Sequence, residues 1–311
     1  MKTSTPTAPS IVVPEAPDYR LAPLIADVIR QENLERLRRH PAFEATARRT
    51  MAAWVPPAGD LKALGRTLRD IATFMAALWA MQLTAETGAM TRTGLARIMA
   101  DWGVASQSRV GALLVYLKLV GLIERGPPLG DDRTKAYRPT AQLRRLFHDR
   151  FRRELTNCLP IMPEVGAVLA RWDEPLVFDG FMAANGRFML ATQQSLTGAP
   201  DNLSLFSHRK SGISILSQML LAADTGGAFP PAGPVRLNIS DLARTCSASR
   251  QQVLAILRVG TEAGFMREDD EGLVHFSPEL RHHVSAMLRM YWVSMAWSGQ
   301  EALRWVDRKA G

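Results

Sequence analysis

The sequence predicts a mainly helical protein with small β-hairpin wings, built from two copies of one unit. Three observations carry this. Residues 91–123, TRTGLARIMADWGVASQSRVGALLVYLKLVGLI, lie over residues 238–266, NISDLARTCSASRQQVLAILRVGTEAGFM, as an internal repeat. Apolar side chains in both recur at helical spacing. Both segments then reach a glycine followed by a short apolar, charged, apolar run, the pattern of a helix stop and a hairpin.

Each element follows from its residues. Thr91 or Asn238, both N-cap residue types, stands four positions before an identical Leu-Ala-Arg and opens a short helix. After a turn, Ser106 or Ser249 opens a second helix, and the copies then run in step: Val110 with Val253, Leu114 with Leu257, Gly121 with Gly264. The second copy is four residues shorter at the turn. Val110, Leu113, Leu114 and Leu117 fall at i, i+3, i+4 and i+7, as do Val253, Ile256, Leu257 and Gly260, so that stripe is expected to pack inward. Gly121 and Gly264 can take the left-handed conformation that ends a helix. Leu122-Ile123 and Phe265-Met266 begin the hairpins. The second hairpin turns through Asp269-Asp270-Glu271-Gly272 into a strand over 273–276, and Pro139-Thr140 and Ser277-Pro278 lead into further helices.

The likeness extends upstream. Asp60-Leu61 and Asn202-Leu203 follow the breaks PPAG and TGAP and open apolar helices through 74–81 and 213–221. The unit is thus about 140 residues long, with its seam at 158–163. The expected organisation is a disordered tail over 1–19, a first helical and winged unit over 20–158, and a second over 159–311 that ends in a packing helix. Residues 177–190, VFDGFMAANGRFML, carry turn signals at Asp179-Gly180 and Asn185-Gly186 but suit a helix better. In the C-terminal helix Val284, Met287, Leu288, Tyr291 and Met295 share one face that needs burial. Packing is the expectation for this helix, against the alternative of a ligand pocket lined by Trp292 and Trp297.

Helix, turn, helix, then hairpin is the order of a winged helix-turn-helix. The run Asp131-Asp132-Arg133-Thr134-Lys135-Ala136-Tyr137-Arg138-Pro139-Thr140 resembles the wing of multiple-antibiotic-resistance-regulator (MarR-type) repressors, which carry Asp-x-Arg followed by Leu-Thr; Pro139 stands in place of that Leu. Ser249-Arg250-Gln251-Gln252-Val253 resembles the start of the recognition helix in cyclic-AMP-receptor/FNR-type regulators. These resemblances cover about 60 residues per copy. They imply a recognition helix in the major groove and a wing arginine at the minor groove or its phosphates.

The expected DNA-binding residues are therefore Gln107, Ser108 and Arg109 in the first copy, Arg250, Gln251 and Gln252 in the second, and Arg125, Arg133 and Lys135 at the first wing. Arg can donate two hydrogen bonds to guanine, and Gln can pair with adenine. Gly111 and Ala112 would let the first helix approach closely. Val115 and Leu119 point away from the buried stripe, where a reading helix is normally polar. Residues 121–153 hold nine basic and four acidic side chains, a surplus that the wing acids cannot neutralise.

The whole chain agrees in charge. Its 311 residues carry 38 Lys+Arg against 30 Asp+Glu, a net charge of +8, which favours an anionic partner. No run of about 18 apolar residues predicts a membrane span. Cys158 and Cys246 are far apart, which suits a reducing cytoplasm. No phosphate-binding Gly-rich loop, paired-His helix or nucleophile elbow is present, and His282-His283 with Glu279 is a poor metal set, so neither catalysis nor a cofactor is expected. The expected function is a cytoplasmic, sequence-specific transcriptional regulator whose tandem winged helices grip double-stranded DNA as a pseudo-dimer. A homodimer and a small-molecule effector are left open. The alternatives are an origin binder like plasmid replication initiators and a winged-helix protein-interaction scaffold.

Overall fold

A long antiparallel helix pair forms the spine of the computed structural model, which describes residues 29–55, 71–127, 135–197, 203–207 and 209–310. The pair is α8 (Pro175–Thr197) and α13 (Pro278–Ala310), of 23 and 33 residues. Gly180 sits against Ala302 and Trp305, Asn185 Nδ2 donates to Ser298 Oγ, and the Phe188 and Trp297 rings lie 5.5 Å apart. That order fixes the opposed chain directions. A Cβ on Gly180 would come within 3.1 Å of the Ala302 backbone, so the small residue is what allows the helices so close. Segment 177–190 is helix throughout; Gly180 serves this close packing, Gly186 lies against Gln82, and neither Asp-Gly nor Asn-Gly forms a turn.

Around the spine the described elements run in order. They are α1 (Gln31–Arg38), α2 (Phe43–Trp54), α3 (Ile71–Thr87), β1 (Met90–Thr91), α4 (Arg92–Asp101), α5 (Gln107–Leu119), β2 (Ile123–Arg125), β3 (Ala136–Pro139), α6 (Ala141–Cys158) and α7 (Val165–Ala170). After α8 come α9 (Ser204–Ser207), α10 (Gly212–Ala222), α11 (Ile239–Thr245), α12 (Arg250–Glu262), β4 (Met266–Glu268) and β5 (Val274–Phe276), then α13. The chain is mainly helical, with two small antiparallel sheets among the described residues, ordered β1-β3-β2 and β4-β5. The upstream starts at Asp60 and Asn202 lie outside the described residues, as do the tail and Arg133. Among the described residues no helix is long and apolar enough to cross a membrane.

Local chemistry places these elements. Thr91, Ser106, Asn238 and Ser249 each cap the helix they precede by accepting a backbone N–H. Gly121 and Gly264 both adopt φ of 72°, where a side chain would be strained, and each ends its helix before a hairpin. Val110, Leu113, Leu114 and Leu117 are buried, as are Val253, Ile256 and Gly260. In the first hairpin β3 pairs with both β2 and β1. In the second, Val274 of β5 forms an isolated bridge with Val235, so the segment before the helix pair meets the hairpin where β1 does in the first.

The N-terminal helices bind the two repeats together. α2 packs on α10, α6 and α13. Trp292 is fully buried, its Nε1 donates to Thr50 Oγ1 at 3.0 Å, and its ring meets Phe43 edge-on. It is a core residue. Arg48 joins Asp224 at 2.6 Å, donates to the Gly227 carbonyl, and lies over the Phe229 ring. The Arg48 hydrogen bond holds the Asp224 carboxyl below its ordinary range.

Glu154 presents the opposite case. It is buried on α6, and Arg150 Nε stands 2.9 Å from its Oε1. Burial pushes this carboxyl up, and the charges of Arg150 and Arg153 only partly offset it. The two acids therefore predict opposite pH trends. A lowered carboxyl stabilises the fold above its unfolded pKa, about 3.9 for Asp, and loses that contribution as pH falls. Asp224→Asn should cost about 1–3 kcal/mol at pH 7, with the deficit closing in acid. A raised carboxyl contributes its full stability below its unfolded pKa and loses it as pH rises through its folded pKa, so Glu154→Gln should raise Tm at pH 8 and leave it little changed near pH 4. Thermal melts of both variants across pH check the signs.

Candidate nucleic-acid interface

Two exposed helix starts and one hairpin gather the residues singled out in the sequence. At α12, Ser249 Oγ accepts the Gln252 N–H at 3.1 Å and Gln252 Oε1 accepts the Ser249 N–H at 2.7 Å. This reciprocal capping box leaves Arg250 and Gln251 exposed on a rigid first turn. Gln252 is half-buried and its carboxamide oxygen belongs to the cap. Its role was legible in the spacing Ser-x-x-Gln, which the likeness to a base-reading motif obscured.

At α5 the cap is looser. Ser106 Oγ accepts the Arg109 N–H at 3.5 Å and lies 3.1 Å from Ser108 Oγ. Gln107, Ser108 and Arg109 are all exposed. Gly111 is not open to an approaching surface, because the Arg92 guanidinium covers it; a Cβ there would stand 3.2 Å from Arg92 Nη2. Arg92 begins α4 and is itself exposed, a cation on this face that local patterning did not single out.

Past this first turn the outer faces of the two helices differ. Val115 and Leu119 on α5 are 61% and 81% exposed, and Tyr116 beside them is 41% exposed. The aligned residues on α12 are Arg258 and Glu262, which pair at 2.8 Å. The same helical position thus carries an apolar stripe in one copy and a solvated ion pair in the other.

The hairpins differ as well. In the first, Arg125 ends β2 and Lys135 precedes β3, so both exposed cations border the tip over 128–134, which lies outside the described residues together with Arg133. Arg138 is spent on Glu124 across the strands at 2.7 Å. In the second, Asp269 accepts the N–H groups of Leu273 and Glu271 at 2.8 and 3.1 Å and meets His275 Nε2 at 2.7 Å. The His275 contact, with these turn amides, holds the Asp269 carboxyl low. The second tip is therefore a fixed acidic turn.

Two more cations stand on the segment before α10. Arg209 and Lys210 are exposed just before α10, whose first residue, Gly212, lies against Ile256 of α12. The only sequence signal was a basic dipeptide ahead of an apolar helix. Among the described residues no three potential metal ligands converge.

No family model, curated protein or solved structure matches the chain. The α12 cap is open to a direct check: Ser249→Ala removes the Oγ acceptor and should cost about 1 kcal/mol in a urea melt.

Proposed function

We propose that the chain is a sequence-specific, double-stranded-DNA-binding transcriptional regulator with two winged helix-turn-helix units in one pseudo-dimeric chain, and that α12 is its principal reading helix. Two copies of the order helix, strand, helix, turn, helix, hairpin support the fold reading. So does the strand pairing, Met90 with Tyr137 in one copy and Val235 with Val274 in the other.

The observation that carries the function is the capped, exposed first turn of α12 with Arg250 and Gln251 on it. Residues at the start of the second helix of such a pair reach base edges when that helix enters the major groove. Arg250 can then meet guanine O6 and N7, and Gln251 adenine N6 and N7. Arg209 and Lys210 before α10, with Arg125 and Lys135 at the first hairpin, supply phosphate contacts that set orientation without reading sequence. The acidic Asp269–Gly272 tip is unsuited to phosphate, so the first hairpin takes the wing role.

The apolar face of α5 favours a second reading for that helix alone, a protein contact. A helix that reads bases through Gln107 and Arg109 gains nothing from Val115 and Leu119 in water.

Mobility-shift titrations with genomic fragments test both readings. Binding should weaken by orders of magnitude between about 50 and 200 mM salt as condensed counterions cease to drive it. Arg250→Ala should cost about 1–3 kcal/mol and relax base preference, whereas Arg209→Ala with Lys210→Ala should weaken all sequences alike and reduce the salt slope by about 2. Replacing Val115 and Leu119 by Gln should leave affinity within about twofold if α5 serves a protein contact. A larger loss with altered base preference would return α5 to DNA reading.

A further inference from the structure

On α1 and the turn that ends it, Asn33, Arg36, Leu37 and His40 recur at i, i+3, i+4 and i+7. On α13, Val293, Ala296, Trp297 and Gln300 do the same. Faces of this kind ordinarily interlock. Here they are clamped at Arg289, which donates to the Leu34 carbonyl at 3.0 Å and to Glu35 at 3.1 Å. Beyond the clamp, along the next turns of α13, they line a cleft of about 340 Å³ whose floor is the turn after α6, at Ile161 and Met162. That volume falls in the lower range of small-molecule sites.

The cleft is apolar inside and dipolar at its rim. Leu37, Met162, Val293 and Ala296 are buried, and the half-buried Trp297 ring is braced by Phe188. Arg36 stands exposed on the α1 wall and Glu164 on the α6–α7 turn. Neither forms an ion pair with another described residue. His40 adds a donor: Ala42 N–H donates to His40 Nδ1 at 3.1 Å, which leaves Nε2 as the nitrogen that carries hydrogen. One cation with a neutral donor on one wall, one carboxylate on another and an apolar floor between them do not suit a neutral hydrocarbon. A simple organic anion would have to face Glu164.

We propose that this cleft binds a small zwitterion with an apolar body, of the class of free aromatic or aliphatic amino acids. The carboxylate faces Arg36 and His40 Nε2–H, the ammonium faces Glu164, and the apolar body lies over Trp297 and Met162.

Calorimetric titration of the full chain, without DNA, tests this. L-Leucine, L-phenylalanine and L-tryptophan are the probes, and phenylacetate and phenethylamine are controls that each lack one charge. At least one amino acid should bind one-to-one, with both controls about tenfold weaker or worse. Arg36→Gln and Glu164→Gln should each weaken the amino acid by a similar factor, and Glu164→Gln should improve phenylacetate relative to it. Gln300→Trp, at the exposed mouth, should block all binding. These three side chains lie at the rim, so unchanged circular dichroism is expected. Absence of binding by all three amino acids at millimolar concentration would overturn the proposal, as would binding indifferent to Glu164→Gln and Gln300→Trp. Because no DNA is present, failure here leaves the DNA-binding reading untouched, and failure in the mobility shifts leaves the cleft untouched.

Discussion

The structure depends on two helices that cannot tolerate water on any side. From Met75 to Gln82 every residue of α3 is buried, and α8 is buried without a break from Phe181 to Gly186. A helix apolar around its whole circumference must be enclosed by others, since a single packed face leaves the remainder in water. α8 covers α3 on one side and α13 covers α8 on the other. α13 is continuous from the second hairpin, and α6 continues from the first, so each hairpin is joined directly to the shared core. The repeats therefore do not hang on a linker. One hydrophobic cluster runs through both.

That enclosure explains why sequence drift between the copies is concentrated where the core makes no demand. The inward stripe stays apolar in both, at Val110 and Val253, Leu113 and Ile256. The outward positions diverge, from Val115 and Leu119 to Arg258 and Glu262, and the hairpin tips from basic-flanked to acidic. Outer positions on a helix cost little to change, so they are free to take different tasks. The two helices thus differ on their outer faces, an exposed apolar stripe on α5 and a solvated ion pair on α12, and the uneven division of tasks proposed above rests on that difference.

Local features were legible in the sequence because their causes are local. The caps at Thr91, Ser106, Asn238 and Ser249, the left-handed Gly121 and Gly264, and the buried stripes all depend on neighbours within a turn or two. The exposure of Val115 and Leu119 was also readable, from helical geometry alone. What was hidden depends on distant partners. Nothing near Arg48 announces Asp224, 176 residues away, and nothing near Gly111 shows that a guanidinium from the preceding helix will cover it. The cleft between α1 and α13 was invisible for the same reason, as its walls come from opposite ends of the chain. Gln252 is a different case: two patterns, a capping box and a base-reading motif, fit the same residue, and in the folded chain the cap holds its side chain.

On the proposed function, the exposed first turn of α12 discriminates between base sequences. Selection of bound sequences from random double-stranded DNA, run in parallel on the unaltered chain and on Arg250→Ala, tests this. The unaltered chain should enrich a guanine-containing motif, with preference at that guanine lost in the variant while other positions persist. Failure to enrich any motif, or the same motif at full strength from Arg250→Ala, would contradict it.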